Sequence, residues 1–439
     1  MLDVIVIGGG PAGLLVADQL KSAGQEVELV EAGARDQANG KAQPAGDPAW
    51  RYRALGSECW WPRALAMGGR SHLWGGWLSR FSPETFREGC WPYTADELEP
   101  YYAAAERWLG ATTDPLAPRY RRAARALGVA VRPRTIARGL IGKNLETRIR
   151  GLEVRAHVNT VALGLESNAE GCRVHVVCGS KRQTLRARAV VLAASPLETA
   201  RLLLASGVRH PWVGRRLTDH FNLSYLLLEP GRKRGRAAAA PEAAFIPRFV
   251  NRGPATRRSY RGGYAIEIIG PLAIDRLDEG VRALCGAELS PDASFTYVNA
   301  LGEQWRHRAR FVDLAPRARD ALGRRLPRIH FAWSAAERRL VADMKASCRE
   351  VARAIGAPGA TLVRYRDPFI MPPVFHPAGT CAMGTDARAP CDPWGRLRPL
   401  PQVWVADASV FPSGGDCHPT LTVLAHALRV AESIERALG

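Results

Sequence analysis

Lysine is scarce: 6 of the 61 basic residues are Lys, at 21, 41, 143, 181, 233 and 345, and the rest are Arg. Paired cysteines are missing as well. The nine Cys (59, 90, 172, 178, 285, 348, 381, 391 and 417) include no CxxC and are odd in number. That excludes a disulfide framework and a structural zinc site. No apolar run approaches the ~18 residues of a membrane-spanning helix. No internal repeat or low-complexity tract occurs, which excludes solenoids and linker-like chains. A strand-like run begins at Leu2 and leaves no room for a basic leader, so a reducing, cytoplasmic setting is expected.

What is present is globular. At 439 residues the chain has room for two or three structural units. Hydrophobic residues at 46% and charged residues at 23% argue against disordered, collagenous and coiled-coil classes. The net charge of +19 raises the question of a nucleic-acid partner. The Arg residues are scattered, however, and the densest groups, 119–125 and 232–236, are short. Neither zinc-finger spacing nor an aromatic-basic strip is found. An Arg-rich surface explains the charge, and no nucleic-acid partner is expected.

The first thirty residues have the pattern strand, turn, helix, strand. Leu2–Ile7 is a short apolar run, Gly8–Gly13 a glycine-rich turn, Leu14–Ala23 a stretch of helical spacing, and Glu26–Glu31 a second strand. Gly8, Gly10 and Gly13 make GxGxxG between strand and helix. The first glycine permits the turn, the second lets a pyrophosphate approach the backbone, and the third lets helix and strand pack. Phosphates suit the unpaired amides at a helix N-terminus. Glu31, ending the second strand, can accept from ribose hydroxyls and would repel a 2′-phosphate. The unit predicts a dinucleotide, and it leaves NAD and FAD both open.

Further along, residues 34–80 read as loop over a ligand, and 94–109 as a helix opened by a Thr94/Glu97 capping box. Strands are expected at Glu153–Val158, Arg173–Cys178 and Ala189–Ala194, and a helix at Pro196–Ser206. From Phe221 the texture becomes short alternating segments (Tyr264–Ile269, Ser294–Ala300, Arg310–Leu314, Arg328–Trp333), which predict an antiparallel sheet. Helices follow at Ala335–Ile355 and Leu421–Leu438, with a strand at Val403–Ala406.

Several segments carry a resemblance. Met67–Gly76 reads MGGRSHLWGG, His376–Gly384 reads HPAGTCAMG, and Val403–Ile434 reads VWVADASVFPSGGDCHPTLTVLAHALRVAESI. With Val30-Glu31-Ala32-Gly33, Trp91–Gly110, Ala187–Gly207 and Val213–His220 (VGRRLTDH), they resemble the glucose-methanol-choline (GMC) flavoprotein oxidoreductases over nearly the whole chain. The flavour is nearest the sugar and polyol dehydrogenase and pyranose oxidase branch. The resemblance implies an α/β fold: a Rossmann-like FAD-binding domain (1–220 and 371–439) plus a substrate domain (221–370) with a mostly antiparallel sheet flanked by helices. It places FAD along Gly8, Gly10, Pro11, Ala12, Gly13, Glu31 and Ala32. Gly68, Gly69, Ser71, Leu73, Trp74 and Gly75 follow on the central loop. Val158, Ala194, Asp407, Ala408, Pro419 and Thr420 complete the set, Val158 by its backbone on the adenine side.

The resemblance also assigns a catalytic pair, His376 as general base and His418 orienting the hydroxyl. The chemistry suits them. Oxidising a carbinol sends hydride to flavin N5 while the hydroxyl proton leaves, and a neutral imidazole accepts that proton near pH 7. Some relatives attach FAD covalently through a His directly before the loop Trp. Here Leu73 stands there and His72 is one residue too early, so noncovalent FAD is expected. Cys381 and Cys417 have no activating basic neighbour in sequence and read as buried small residues. No metal is expected.

The implied function is oxidation of a CH–OH group on a sugar, glycoside, polyol or other hydroxylated metabolite, with oxygen, a quinone or another acceptor taking the electrons. A non-redox lyase or decarboxylase on the same scaffold is the alternative, and a basic nucleic-acid-binding protein a remote one. The chain is short for the family. Thr135–Arg150 reads as a direct bridge across a stretch that many relatives fill, which predicts a more open site and a bulky substrate.

Overall fold

The structure is a computed structural model that describes residues 1–35, 52–54, 57–59, 63–230, 242–249, 260–277, 279, 285, 292–369 and 374–439. The basic group 232–236 and the expected domain boundary near 370 lie outside the described residues.

Leu2–Ile7 is a strand with Val4–Ile7 buried on both faces, as a continuous apolar run requires. It pairs in parallel with Val27–Val30 on one side and with the end of Lys181–Leu192 on the other. Arg155–His157 and Val403–Val405 extend this parallel layer at its two sides. The long strand Lys181–Leu192 changes partner along its length. Its first part runs antiparallel to Gly171–Cys178, and its last part is parallel to Leu2–Ile7 and Val403–Val405. The seven-stranded sheet is closed by Thr160–Asn168.

The first helix spans Pro11–Ser22, three residues earlier than its apolar spacing suggests. Proline's fixed φ suits the first helical position, where its missing N–H costs nothing. Gly13 is therefore inside the helix. The capping box at Thr94 forms as expected and opens Ala95–Trp108. Ala335–Ile355 is a helix over the predicted span, opened by a second capping box, Ser334 with Glu337.

The second sheet is antiparallel throughout. Its six strands run in the order Thr361–Arg366, His220–Glu229, Ser294–Glu303, Tyr264–Ala273, Ala243–Phe249, Arg132–Pro133. Leu223, Tyr225, Ile266, Ile268, Val298 and Ala300 bury one face against the Ala335–Ile355 helix. By the period of two, the residues between them face the other way. That second face looks into the cleft described below.

Some sequence expectations shift. The strand read at Arg328–Trp333 runs Arg325–His330 instead. Loop 34–80 contains short ordered pieces, including a 3₁₀ turn at Gly69–Leu73 and strand Trp77–Leu78. Thr135–Arg150 is no bare bridge: it carries strand Thr135–Ala137 and most of helix Lys143–Gly151. No described helix is long and apolar enough to cross a membrane.

Candidate active site

A cleft of about 580 Å³ runs from the glycine-rich turn to the open face of the antiparallel sheet. At one end the turn leaves strand Leu2–Ile7 with Gly8 at φ +109°, and a Cβ on Gly8 would sit 2.4 Å from the Ala193 carbonyl oxygen. A Cβ on Gly13 would lie 1.9 Å from the Gly8 carbonyl oxygen. Beside Gly10 nothing lies within 4 Å of that position, so the backbone there is open to a ligand. Gly8, Gly10, Pro11 and Ala12 line the cleft, while Gly13 lies behind them as a packing residue.

Glu31 and Ala32 also line this end. The Glu31 carboxylate accepts from the Gly9 and Gly33 amides, both at 2.7 Å. Burial nevertheless pushes its pKa up to about 7. Hydroxyl donors from a ribose would offset that burial by stabilising the charge. Val158 is not in the wall. Its carbonyl accepts from the Thr160 hydroxyl at 2.9 Å, and Thr160–Leu163 line the cleft instead. Asn159, with a φ of +49°, lies between the two strands.

The central loop packs over the turn: the Gly68 amide donates to the Gly9 carbonyl at 2.7 Å. Gly69, Ser71, Leu73, Trp74 and Gly75 line the cleft, and Gly68 lies behind them. Helix Lys143–Gly151 supports the loop from outside through Leu145, which sits against Gly68, and the Trp74 indole donates to the Leu140 carbonyl. The short segment therefore braces this wall. His72 Nε2 is 2.7 Å from the Met67 carbonyl oxygen, and its ring is committed to its own loop.

Ala194, Asp407 and Ala408 form the next part of the wall. Asp407 is buried and accepts from the Thr199 hydroxyl at 2.6 Å and the Ser409 amide at 2.8 Å. Sequence reasoning missed the charged group beside it. Arg63 pairs with Glu198 at 2.8 Å, Arg201 and Arg324 lie near the same carboxylate, and all four line the cleft.

The two predicted histidines meet at the far end. Their ring centroids are 5.2 Å apart, near perpendicular at 79°. His418 precedes Pro419 and Thr420 at the start of helix Thr420–Leu438, and all three line the cleft. The His376 amide donates to Asp219 Oδ1 at 3.0 Å, and the same oxygen accepts from the His220 amide at 2.7 Å. Arg70 donates to the Phe375 carbonyl at 2.5 Å. Asp219 and Arg70 thus hold the His376 loop from two sides. Burial, then the His220, His418 and Arg70 charges, hold the His376 pKa well below the usual 6.5. Asp219 is pushed up to about 7 by its own burial. Its signal was present in the VGRRLTDH stretch, whose role there was unassigned. His418 Nε2 lies 2.6 Å from Glu267 Oε1, and no sequence signal singled out that carboxylate.

The residues fit FAD. The open side of Gly10, the amides of the first helix and the buried Glu31 make a cradle for a dinucleotide. The cleft continues from that cradle to a pair of imidazoles, one of them held neutral.

Comparison with known proteins agrees with this geometry. Residues 3–218 match the model of the FAD dependent oxidoreductase family, and residues 309–427 that of GMC oxidoreductase. The chain is 26% identical to 6'''-hydroxyparomomycin C oxidase of Streptomyces lividus, covering 100% of this chain and 92% of that one. It is also 26% identical to paromamine 6'-oxidase of Streptomyces fradiae, over 98% and 91% of the two chains. The fold matches the crystal structure of pyridoxine 4-oxidase from Mesorbium loti with a TM-score of 0.72, 18% identity and 99% of each chain covered. It matches formate oxidase of Aspergillus oryzae with a TM-score of 0.73, 17% identity and coverage of 99% and 98%. With a GxGxxG cradle at one end of the cleft and a histidine pair at the other, the chain belongs to the GMC oxidoreductases and is an FAD-dependent enzyme.

Proposed function

We propose that this enzyme oxidises a secondary or primary alcohol of a sugar or glycoside, with His376 as general base and His418 holding the alcohol oxygen. The observation that carries the reading is the pair of rings 5.2 Å apart on the cleft wall, with His376 held in its neutral form. When bound, FAD supplies the acceptor for the hydride that leaves the carbinol carbon. His376 takes the hydroxyl proton, so the products are a carbonyl compound, a protonated imidazole and two electrons on the cofactor. Being neutral, His376 has a free lone pair for that proton. His418 fixes the oxygen and so aims the carbinol C–H. Asp219 and Arg70 keep the His376 loop in place through its backbone. The sugar-type substrate rests on the two aminoglycoside-oxidising relatives, which align along nearly the whole chain.

The test is anaerobic. Purified holoenzyme mixed with a panel of sugars, glycosides and simple alcohols should lose its flavin colour with at least one of them, and regain it with oxygen or a quinone. A protein whose flavin keeps its colour with every alcohol would return the reading to a non-redox activity.

FAD is held without a covalent bond in this proposal. His72 is occupied by the Met67 carbonyl, and Leu73 takes the place before Trp74. Acid denaturation is expected to release all of the yellow colour into the supernatant. Colour that stays with the precipitated protein refutes noncovalent attachment.

A further inference from the structure

The antiparallel sheet presents two polar side chains to the cleft, each with a buried oxygen that accepts no hydrogen bond. Glu267 and Asn299 are cross-strand partners on neighbouring strands, Tyr264–Ala273 and Ser294–Glu303. Their neighbours Ile266, Ile268, Val298 and Ala300 point into the helix-covered core, so the pleat turns both polar side chains toward the cleft, and both line it. Glu267 is 4% exposed. Glu267 Oε1 and Asn299 Oδ1 are buried without a hydrogen-bond partner. His418 Nε2 comes within 2.6 Å of Glu267 Oε1, and it supplies a charge only when protonated.

Three other buried carboxylates have guanidinium partners, Asp320 with Arg201, Glu229 with Arg119 and Glu337 with Arg310, and Glu31, Asp219 and Asp407 accept from backbone amides or hydroxyls. With 61 basic residues against 42 acidic ones, an Arg partner is easy to come by. Among the described residues no Arg or Lys makes an ion pair with Glu267. A buried carboxylate left without a fixed cation is costly. The partner that would repay it is a cation that arrives through the cleft.

We propose that Glu267, with Asn299 beside it, is an anchor for an ammonium group and selects amino sugars as substrates. The inference rests on the alcohol-oxidation reading above and adds the substrate's charge. An ammonium carries three donors and one charge. It matches two acceptors side by side and neutralises the carboxylate, which a hydroxyl cannot do. Because Glu267 touches His418, whose ring is 5.2 Å from His376, the amine sits on or next to the ring that bears the reacting carbinol.

The experiment compares D-glucosamine, N-acetyl-D-glucosamine and D-glucose, together with further amino sugars and their N-acetyl forms. Anaerobic flavin reduction of the wild-type and Glu267→Gln holoenzymes is the readout. For the wild type, kcat/KM should be at least about tenfold higher for free amines, the worth of ~1.4 kcal/mol. In Glu267→Gln that ratio should fall toward one, mainly through KM. Raising the pH above the amine's own pKa should erode the preference in the wild type, a check that needs no variant. Equal or better rates with the neutral partners overturn the anchor. So does a Glu267→Gln enzyme slowed by the same factor on all three, because Glu267 would then act only through His418. If neutral alcohols reduce the flavin and amino sugars do not, the anchor falls and alcohol oxidation stands. If no alcohol reduces it, the oxidation reading falls as well.

Discussion

Flavin reduction in His376→Ala is expected to run about 10²–10⁴ times slower than in the wild type, the usual contribution of a positioned general base. The loss should fall on the reductive step, seen by anaerobic stopped flow, with FAD content unchanged because His376 lies at the end of the cleft away from the Gly8–Gly13 turn. Reduction at the wild-type rate would take the base role from His376. The pH profile adds a second, independent mark. The neutral imidazole is the working form, so activity holds above its pKa and declines below it. Burial, followed by the charges of His220, His418 and Arg70, lowers that pKa well below 6.5. The acid limb should therefore lie well below pH 6.5. An unperturbed histidine would already be only about one-tenth neutral at pH 5.5. A limb near pH 7 would point to Asp219 or Glu31, both pushed up to about 7, and Asp219→Asn should remove it only if Asp219 is its source.

Gly13→Ala is expected to weaken FAD binding by about 10²–10⁴-fold or to leave no folded protein at all. The added Cβ would stand 1.9 Å from the Gly8 carbonyl oxygen and 3.3 Å from the Ala193 side chain. The first contact is with backbone, so no side chain can rotate away. Either the helix moves off the strand or the turn opens, and overpacking of this kind typically costs about 1–3 kcal/mol. Both movements displace the amides at the helix start. Hydrogen bonds to charged groups contribute about 1.5–3 kcal/mol each, and two lost amides give the stated range at ~1.4 kcal/mol per tenfold. Flavin retained per mole of protein after gel filtration measures it. A fully yellow Gly13→Ala enzyme would show that close packing at this turn is dispensable.

Legibility in the sequence followed the range of the interaction. The strand, turn and helix of residues 2–31 were readable because each signal is local: an apolar run, three glycines and a 3.6-residue spacing. The capping box at Thr94 and the helix Ala335–Ile355 were readable for the same reason. His376 and His418 were legible through motifs, although their meeting depends on two distant loops. Val158 sits just before the left-handed Asn159, and the cleft lining is formed by Thr160–Leu163 beyond it. Glu267 and Asn299 were invisible. Alternation says that a strand residue faces away from the core side, yet it does not say whether that face meets water or a cofactor cleft. Asp219 lay inside a quoted motif, and its task of accepting two backbone amides only exists once the 375–376 loop arrives beside it.

The helix Pro11–Ser22 packs against Thr420–Leu438, and its strand Leu2–Ile7 pairs with residues near 190. On a ribosome these partners are made in the opposite order of need. The cradle that greets the dinucleotide is made before the wall carrying Asp407 and His418, which follows about 400 residues later. For most of translation the first helix has an apolar face with nothing to cover it, a state prone to misassembly and aggregation. Contacts this distant in sequence also slow folding. The cleft is thus complete only once the segment carrying Asp407 and His418 has been made and has packed against the first helix.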